Sequence, residues 1–482
     1  MVRKEAKARR SSLKVKVKRA SRPVEAPMQV CNVDLLQRAL KWIVGDGIFD
    51  HLPQHGNTTW LPTQLIVLAI LWVWSDHSRL TAGYQEARQA ALRFYADLTL
   101  FSYQGFIRAL VTWTEQLRPL LWSRLQQLME QAGGGYWRLG EFLVLAVDGS
   151  RVTVPRTKSN ERAFAAKNYG RGGMTKSRRK WKNKKRRSKK LGQPVKPQIW
   201  LTMIWHMGLK MPWCWKTGPS TSSEREHFLD LLKSCVFPQN TLFCADAGFI
   251  GYEFWKSIID AGHNFLIRVG GNVHLLRKLG KVRVEDDIVF FWPHKLRQSK
   301  QPPLMLRLLE FQGARGPVFL LTSVLEPKRL SLKRAREMYK QRWGIELQFR
   351  TLKQTFGRTK LRSRTSERAL VELEWSLFGL WIIQLFAVKE QIEIASPPER
   401  SSAALAIAVF RDLLRDRHRV VASPKMLTLQ LREAVKDDYE RTSSKRARYQ
   451  PHYKDAPTVT QPKIKLATKE QRQAYQALTT AL

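Results

Sequence analysis

The sequence predicts an α/β fold flanked by helical regions, and three observations carry that prediction. Apolar residues recur at helical spacing through residues 29–135. Past Glu141 the pattern changes to short apolar runs rich in strand formers, among them FLVLAV, IWLTMIWHM and TLFCA. From Ser331 the helical period returns, reaching Phe356 and resuming over about Ser366 to Glu390.

A chain of 482 residues, 43% apolar, can bury a sizeable core and form about two to four folding units. The formal net charge of +44 is the outlier. Positive charge on this scale opposes compaction and makes sense when a polyanion supplies the opposite sign. Nucleic acid fits better than a membrane surface, because each phosphate neutralised by Lys or Arg releases counterions. Cys31, Cys214, Cys235 and Cys244 lack CxxC spacing and read as free thiols in a reducing compartment. The N-terminus has no apolar signal stretch, and Leu65 to Ser75 is too short to cross a bilayer. The expected location is therefore the cytoplasm.

Residues 1–28 begin with ten Lys/Arg against one Glu in the first 22 and read as a disordered basic arm. Residues 29–138 form a helical domain with a DNA-binding role, built on LLQRALKWIV, PTQLIVLAILWVW, YQEARQAALRFY and the long run FIRALVTWTEQLRPLLWSRLQQLME. Residues 139–270 open the central α/β region. FLVLAV ends at Asp148-Gly149, and RVTV reads as a second strand. A loop at 170–197 then carries Lys176, Arg178, Arg179, Lys180, Lys182, Lys184, Lys185, Arg186, Arg187, Lys189 and Lys190, with no acid between 176 and 190. Mutual repulsion keeps such a block open until phosphates pair with it, so it is expected to contact DNA. Gly170-Arg171-Gly172-Gly173 reads as a hinge rather than a nucleotide loop, and no ATP requirement is expected.

MPWCWKTG continues the strands after IWLTMIWHM. SSEREHFLDLLKSC is a helix capped by Ser222 or Ser223, and NTLFCADAGF places Asp246 at the end of a strand. YEFWKSIIDAG is a helix stopped at Gly262, and NFLIRVG is a strand. Residues 271–327 form a small β-rich module, 328–392 return to helix, and 393–482 hold two amphipathic stretches (401–415 and 425–436) before a polar, basic tail. His206, His227, His263, His274 and His294 have no compact ligand spacing and are not expected to bind metal.

Phosphodiester chemistry by two metal ions needs carboxylates brought together from separate elements. Asp148 and Asp246 stand at strand ends. On a helix spanning 338–356, Tyr339, Arg342, Glu346 and Lys353 fall within roughly 60° of one another at 100° per residue. Ile345, Phe349, Leu352 and Phe356 form the adjacent apolar stripe.

The pattern Tyr339-x2-Arg342-x3-Glu346-x6-Lys353, within YKQRWGIELQFRTLK, resembles the signature of the IS4-family transposases. VDGSRVTVP around Asp148 and ADAGF around Asp246 resemble its companion motifs. The resemblance covers about residues 140–390. It implies an RNase H-like catalytic core (139–270 and 328–392) interrupted by a β-rich insertion (271–327), with helical N- and C-terminal regions. It further implies a metal triad of Asp148, Asp246 and Glu346 holding Mg²⁺ (with Mn²⁺ as a substitute), while Tyr339, Arg342 and Lys353 grip phosphates. Trp292 is the analogue of a tryptophan that stacks on a flipped base. The implied activity is cut-and-paste transposition: cleavage at terminal inverted repeats and transfer of 3′-OH ends into target DNA, by a homodimer on paired ends. A related RNase H-like nuclease, or an inactive transposase-derived DNA-binding protein, is the alternative.

Overall fold

The computed structural model describes residues 30–45, 47–49, 51–52, 58–165, 196–280, 287–313, 316–437 and 461–480. The expected basic arm and the 176–190 block lie outside the described residues.

Four helices come first: α1 (Asn32–Val44), α2 (Pro62–Trp74), α3 (Leu80–Ala91) and α4 (Tyr103–Gly133). Pro62 opens α2 at a position where its missing N–H costs nothing, and Ser102 caps α4 by accepting from the Gly105 N–H. The sheet begins with β1 (Leu143–Thr153), which is followed by α5 (Lys158–Phe164) and the strands β2 (Gln198–His206) and β3 (Met211–Gly218). Helix α6 (Glu224–Ser234), capped by Ser223, leads into β4 (Thr241–Ala245). Helix α7 (Tyr252–Asp260) then crosses to β5 (Asn264–Val269), its end marked by Gly262 at φ +75°. Strands β6 (His274–Arg277), β7 (Ile288–Phe291), β8 (Leu304–Gly313) and β9 (Gly316–Thr322) follow.

Helices α8 (Leu332–Gln341), α9 (Gly344–Arg350), α10 (Ser366–Glu393), α11 (Ala403–Arg415) and α12 (Met426–Glu433) come next. The described chain ends with β10 (Lys463–Leu466) and α13 (Lys469–Thr480).

All ten strands join one sheet in the order β10-β6-β7-β8-β9-β5-β4-β1-β2-β3. β2 pairs antiparallel with both β1 and β3, whereas β4 runs parallel to β1 and β5 parallel to β4. β9 pairs antiparallel with β5, so the 271–327 strands extend the same sheet.

Helix α10 is the hub of the helical layer and packs on α2, α4, α11, α12 and β3. It is long and apolar enough to cross a membrane, but its apolar stretch is buried on all sides by protein. The N-terminal and C-terminal helices therefore share one core around it, with Trp74 Nε1 donating to the Gly379 carbonyl at 2.9 Å.

Three expectations change. RVTV is not a separate strand, because β1 runs unbroken through Asp148 and pairs with β2 as far as Thr153↔Gln198. The 338–356 helix is not continuous either: it breaks at Arg342-Trp343 and ends in a π-helical turn, Thr351–Thr355. Gly344 opens α9 at a close approach, where a Cβ would overlap the Trp205 ring of β2. Finally, the polar tail folds back. β10 lies parallel beside β6, and Ala467, Tyr475 and Leu478 close a small second core with Leu279, Ile288, Phe290 and Trp292.

Candidate active site

The two aspartates are brought together by strand register. β1 and β4 pair in parallel up to Ala146↔Cys244, and Asp148 and Asp246 each stand two residues beyond that pair. Alternation puts both on the same face of the sheet. Beyond this point β1 continues with β2 alone, while Asp246 turns the chain away by accepting the Gly248 N–H at 2.8 Å. Asp148 accepts the Gly149 N–H at 2.8 Å. Burial pushes its carboxyl up to about 6; the Gly149 hydrogen bond and Arg342 oppose the rise, and Asp246 and Glu346 add to it.

Glu346 arrives on α9, which is held down from two sides. Ile345, Phe349, Leu352 and Phe356 are buried, as the apolar stripe predicts. Behind them the buried Gln348 and Gln384 amides exchange hydrogen bonds of 2.9 and 2.7 Å, fixing α9 to α10. Arg342, at the break before α9, lies between two of the acids: its guanidinium is 3.6 Å from Asp148 Oδ2 and 3.4 Å from Glu346 Oε1. Neither distance is that of a tight charge-assisted bond, and its buried Nε and Nη1 have no hydrogen-bond partner.

The rest of the signature lines the same region. The Arg342 guanidinium lies 5.7 Å from the Tyr339 ring; burial raises the Tyr339 phenol, with Arg342 and Arg268 opposing and Asp246 adding. Lys353, carried on the π-helical turn, donates to Ser150 Oγ at 2.6 Å and has its pKa lowered by burial. The structure thus groups Asp148, Asp246, Glu346, Tyr339, Arg342 and Lys353.

Trp292 does not join them. It is 4% exposed, donates to the Gln301 carbonyl at 2.8 Å and meets the Tyr475 ring edge-on at 6.4 Å. An indole so enclosed offers no open face to a base, because the C-terminal helix α13 covers it. His206 is likewise a core residue, bonded to the Trp137 carbonyl and the Leu209 N–H and held down to about 3 by burial.

Sequence reasoning missed three neighbours. Arg268 on β5 faces Tyr339, and Ser150 on β1 receives Lys353. Glu224 opens α6. Burial pushes its carboxyl up to about 7, with Asp148 and Asp246 adding to the rise and Arg151 opposing it. No local signal in the sequence marks any of the three.

A family model described as "Transposase DDE domain" matches residues 140–382, which contain every one of these grouped residues. The chain belongs to this family. Transposase InsG for insertion sequence element IS4, from Escherichia coli (strain K12), is 25% identical over 284 residues, covering 56% of this chain and 58% of the relative. The chain thus spans less than two thirds of that relative's length. Among solved structures, a piggyBac transposase synaptic complex with hairpin DNA matches 85% of this chain and 87% of its own, with 12% identity and a TM-score of 0.40.

The family's chemistry is metal-dependent, and the residues present fit a hard divalent cation, because the grouped acids offer only carboxylate oxygens. Among the described residues no three His, Cys, Asp or Glu side chains stand close enough to hold an ion as they are. Arg342 lies between Asp148 and Glu346 and serves as their counter-charge.

Proposed function

We propose that this chain is a DNA transposase that cleaves at terminal inverted repeats and joins the freed 3′-OH ends to target DNA, acting as a homodimer on paired ends. One observation carries the reading: Asp148, Asp246 and Glu346, far apart in the chain, face one another around Arg342 within the span that matches the DDE family.

In this proposal Asp148, Asp246 and Glu346 hold two divalent cations, Mg²⁺ first and Mn²⁺ as a substitute. Asp148 interacts with both other acids and would hold the cations together with them. Bound there, the cations would lower the pKa of a water or a 3′-OH and stabilise the departing 3′ oxygen. Arg342 leaves its two acids for a DNA phosphate, which its planar fork can grip in bidentate fashion. Lys353 supplies a point charge on the Ser150 side, and the Tyr339 hydroxyl orients a phosphate next to Arg342. An RNase H-like core is part of the proposal. It is supported by the order β3-β2-β1-β4-β5, three antiparallel strands followed by two parallel to β1. We assign residues 139–270 and 328–392 to that core and 271–327 to an insertion. The basic arm, the helical region 29–138 and the 170–197 loop are assigned to DNA contact.

Glu346→Ala tests the reading. With a labelled duplex carrying the repeats that flank the gene, divalent-dependent cleavage is expected to fall to background while gel-shift affinity for the same duplex stays within a few-fold. Undiminished cleavage removes Glu346 from the site and the proposal with it.

A further inference from the structure

We infer that Glu224 is a fourth carboxylate of the cation site, reaching it from the first turn of α6 across the backbone of Gly149. The inference rests on the cation reading proposed above and adds a residue that lies outside the signature.

The geometry is a close approach. A Cβ built on Gly149 would lie 2.5 Å from Glu224 Oε1, 2.6 Å from its Cγ and 2.7 Å from its Cδ. The whole end of the Glu224 side chain therefore lies on the β1 backbone immediately after Asp148. Helix α6 packs on β1, β2 and β3, so this position is set by the sheet and not by a loose surface rotamer.

The plain alternative is an acid that steadies a helix N-terminus. Glu226 already serves there: it is exposed in the same first turn, and its N–H is capped by Ser223. Glu224 points the other way. Among the described residues it makes no hydrogen bond or ion pair. Its charged neighbours are Asp148 and Asp246, which repel it, and Arg151, which attracts it. The Arg151 guanidinium is itself drawn 4.5 Å over the Trp200 ring. A carboxylate repelled by two others gains from a cation shared with them. Four acids also balance two divalent ions in charge, where three leave an excess of one positive charge.

Manganese binding to the full-length chain, followed by loss of the free Mn²⁺ electron paramagnetic resonance signal, tests this directly. Glu224→Gln keeps the shape and should weaken Mn²⁺ binding on the order of tenfold, whereas Glu226→Gln should leave it unchanged. Glu224→Asp keeps the charge at the helix start but draws the carboxylate back. It should melt like the native chain without metal and show a reduced Mn²⁺-induced rise in melting temperature, a result that a purely helix-stabilising acid would not give. Native-like Mn²⁺ affinity in both Glu224 variants, with Asp246→Asn defective, overturns the inference and leaves the triad standing. Absence of Mn²⁺ binding by the native chain overturns the inference and the cation reading together.

Discussion

At the level of single residues, the site is a group of acids kept apart by one arginine. Asp148 and Glu346 share Arg342 at 3.6 and 3.4 Å, longer than tight charge-assisted bonds, and in the proposed function the guanidinium turns to a phosphate when cations neutralise these acids. Gly149 contributes by what it lacks, because its bare backbone lets Glu224 lie against β1. Gly149→Ala should therefore push Glu224 outward and weaken Mn²⁺ binding less than Glu224→Gln does. Thermal unfolding should shift by under about 1 kcal/mol, as no core contact is removed. In the double variant the two losses should not add, since both act through one carboxylate. Simple additivity in the Mn²⁺ titration would show that Gly149 acts by another route.

At the level of elements, catalytic geometry depends on how α9 is seated. Its approach to β2 requires Gly344 beside Trp205, and its attachment to α10 runs through the buried Gln348–Gln384 amide pair. Neither glutamine touches the acids. Gln384→Leu strands the Gln348 amide in the interior, at a cost of about 1–3 kcal/mol, and frees α9 to shift. The expected result is a lower melting temperature together with cleavage reduced more than DNA affinity. A variant that loses stability but cleaves at the native rate would show that α9 is positioned by its apolar stripe alone. The π-helical turn Thr351–Thr355 carries Lys353, whose Nζ donates to Ser150 Oγ.

At the level of the whole molecule, one sheet and one hub helix tie distant parts of the chain together. α10 collects the N-terminal and C-terminal helices into a common core, and β10 with α13 returns from the far end of the chain to cover Trp292. The net charge of +44 also belongs to this scale. Replacing Lys184, Lys185, Arg186 and Arg187 by Gln should weaken DNA binding and flatten the plot of log affinity against log salt, by up to about 3–4 in slope. An unchanged slope would mean that this block makes no phosphate contacts.

The sequence by itself determined the alternation of helical and strand periods, the apolar stripe of Ile345, Phe349, Leu352 and Phe356, and the signature that links Tyr339, Arg342, Glu346 and Lys353. These are local: a buried face must be apolar at the period of its element, and a motif is a string of neighbours. The carboxylates could be named in the same way, each beside its own strand or helix. What only the tertiary structure decided depends on approach between distant segments. Parallel register carries Asp148 and Asp246 to the same face, and a missing Cβ admits Glu224 to their side. A helix that periodicity alone would continue breaks at Arg342-Trp343, and Gly344 after the break packs directly on the Trp205 ring. Trp292 became a core residue because a polar C-terminal segment folded over it. Periodicity reports which face of an element is buried, but not which partner buries it, and that choice is made by packing.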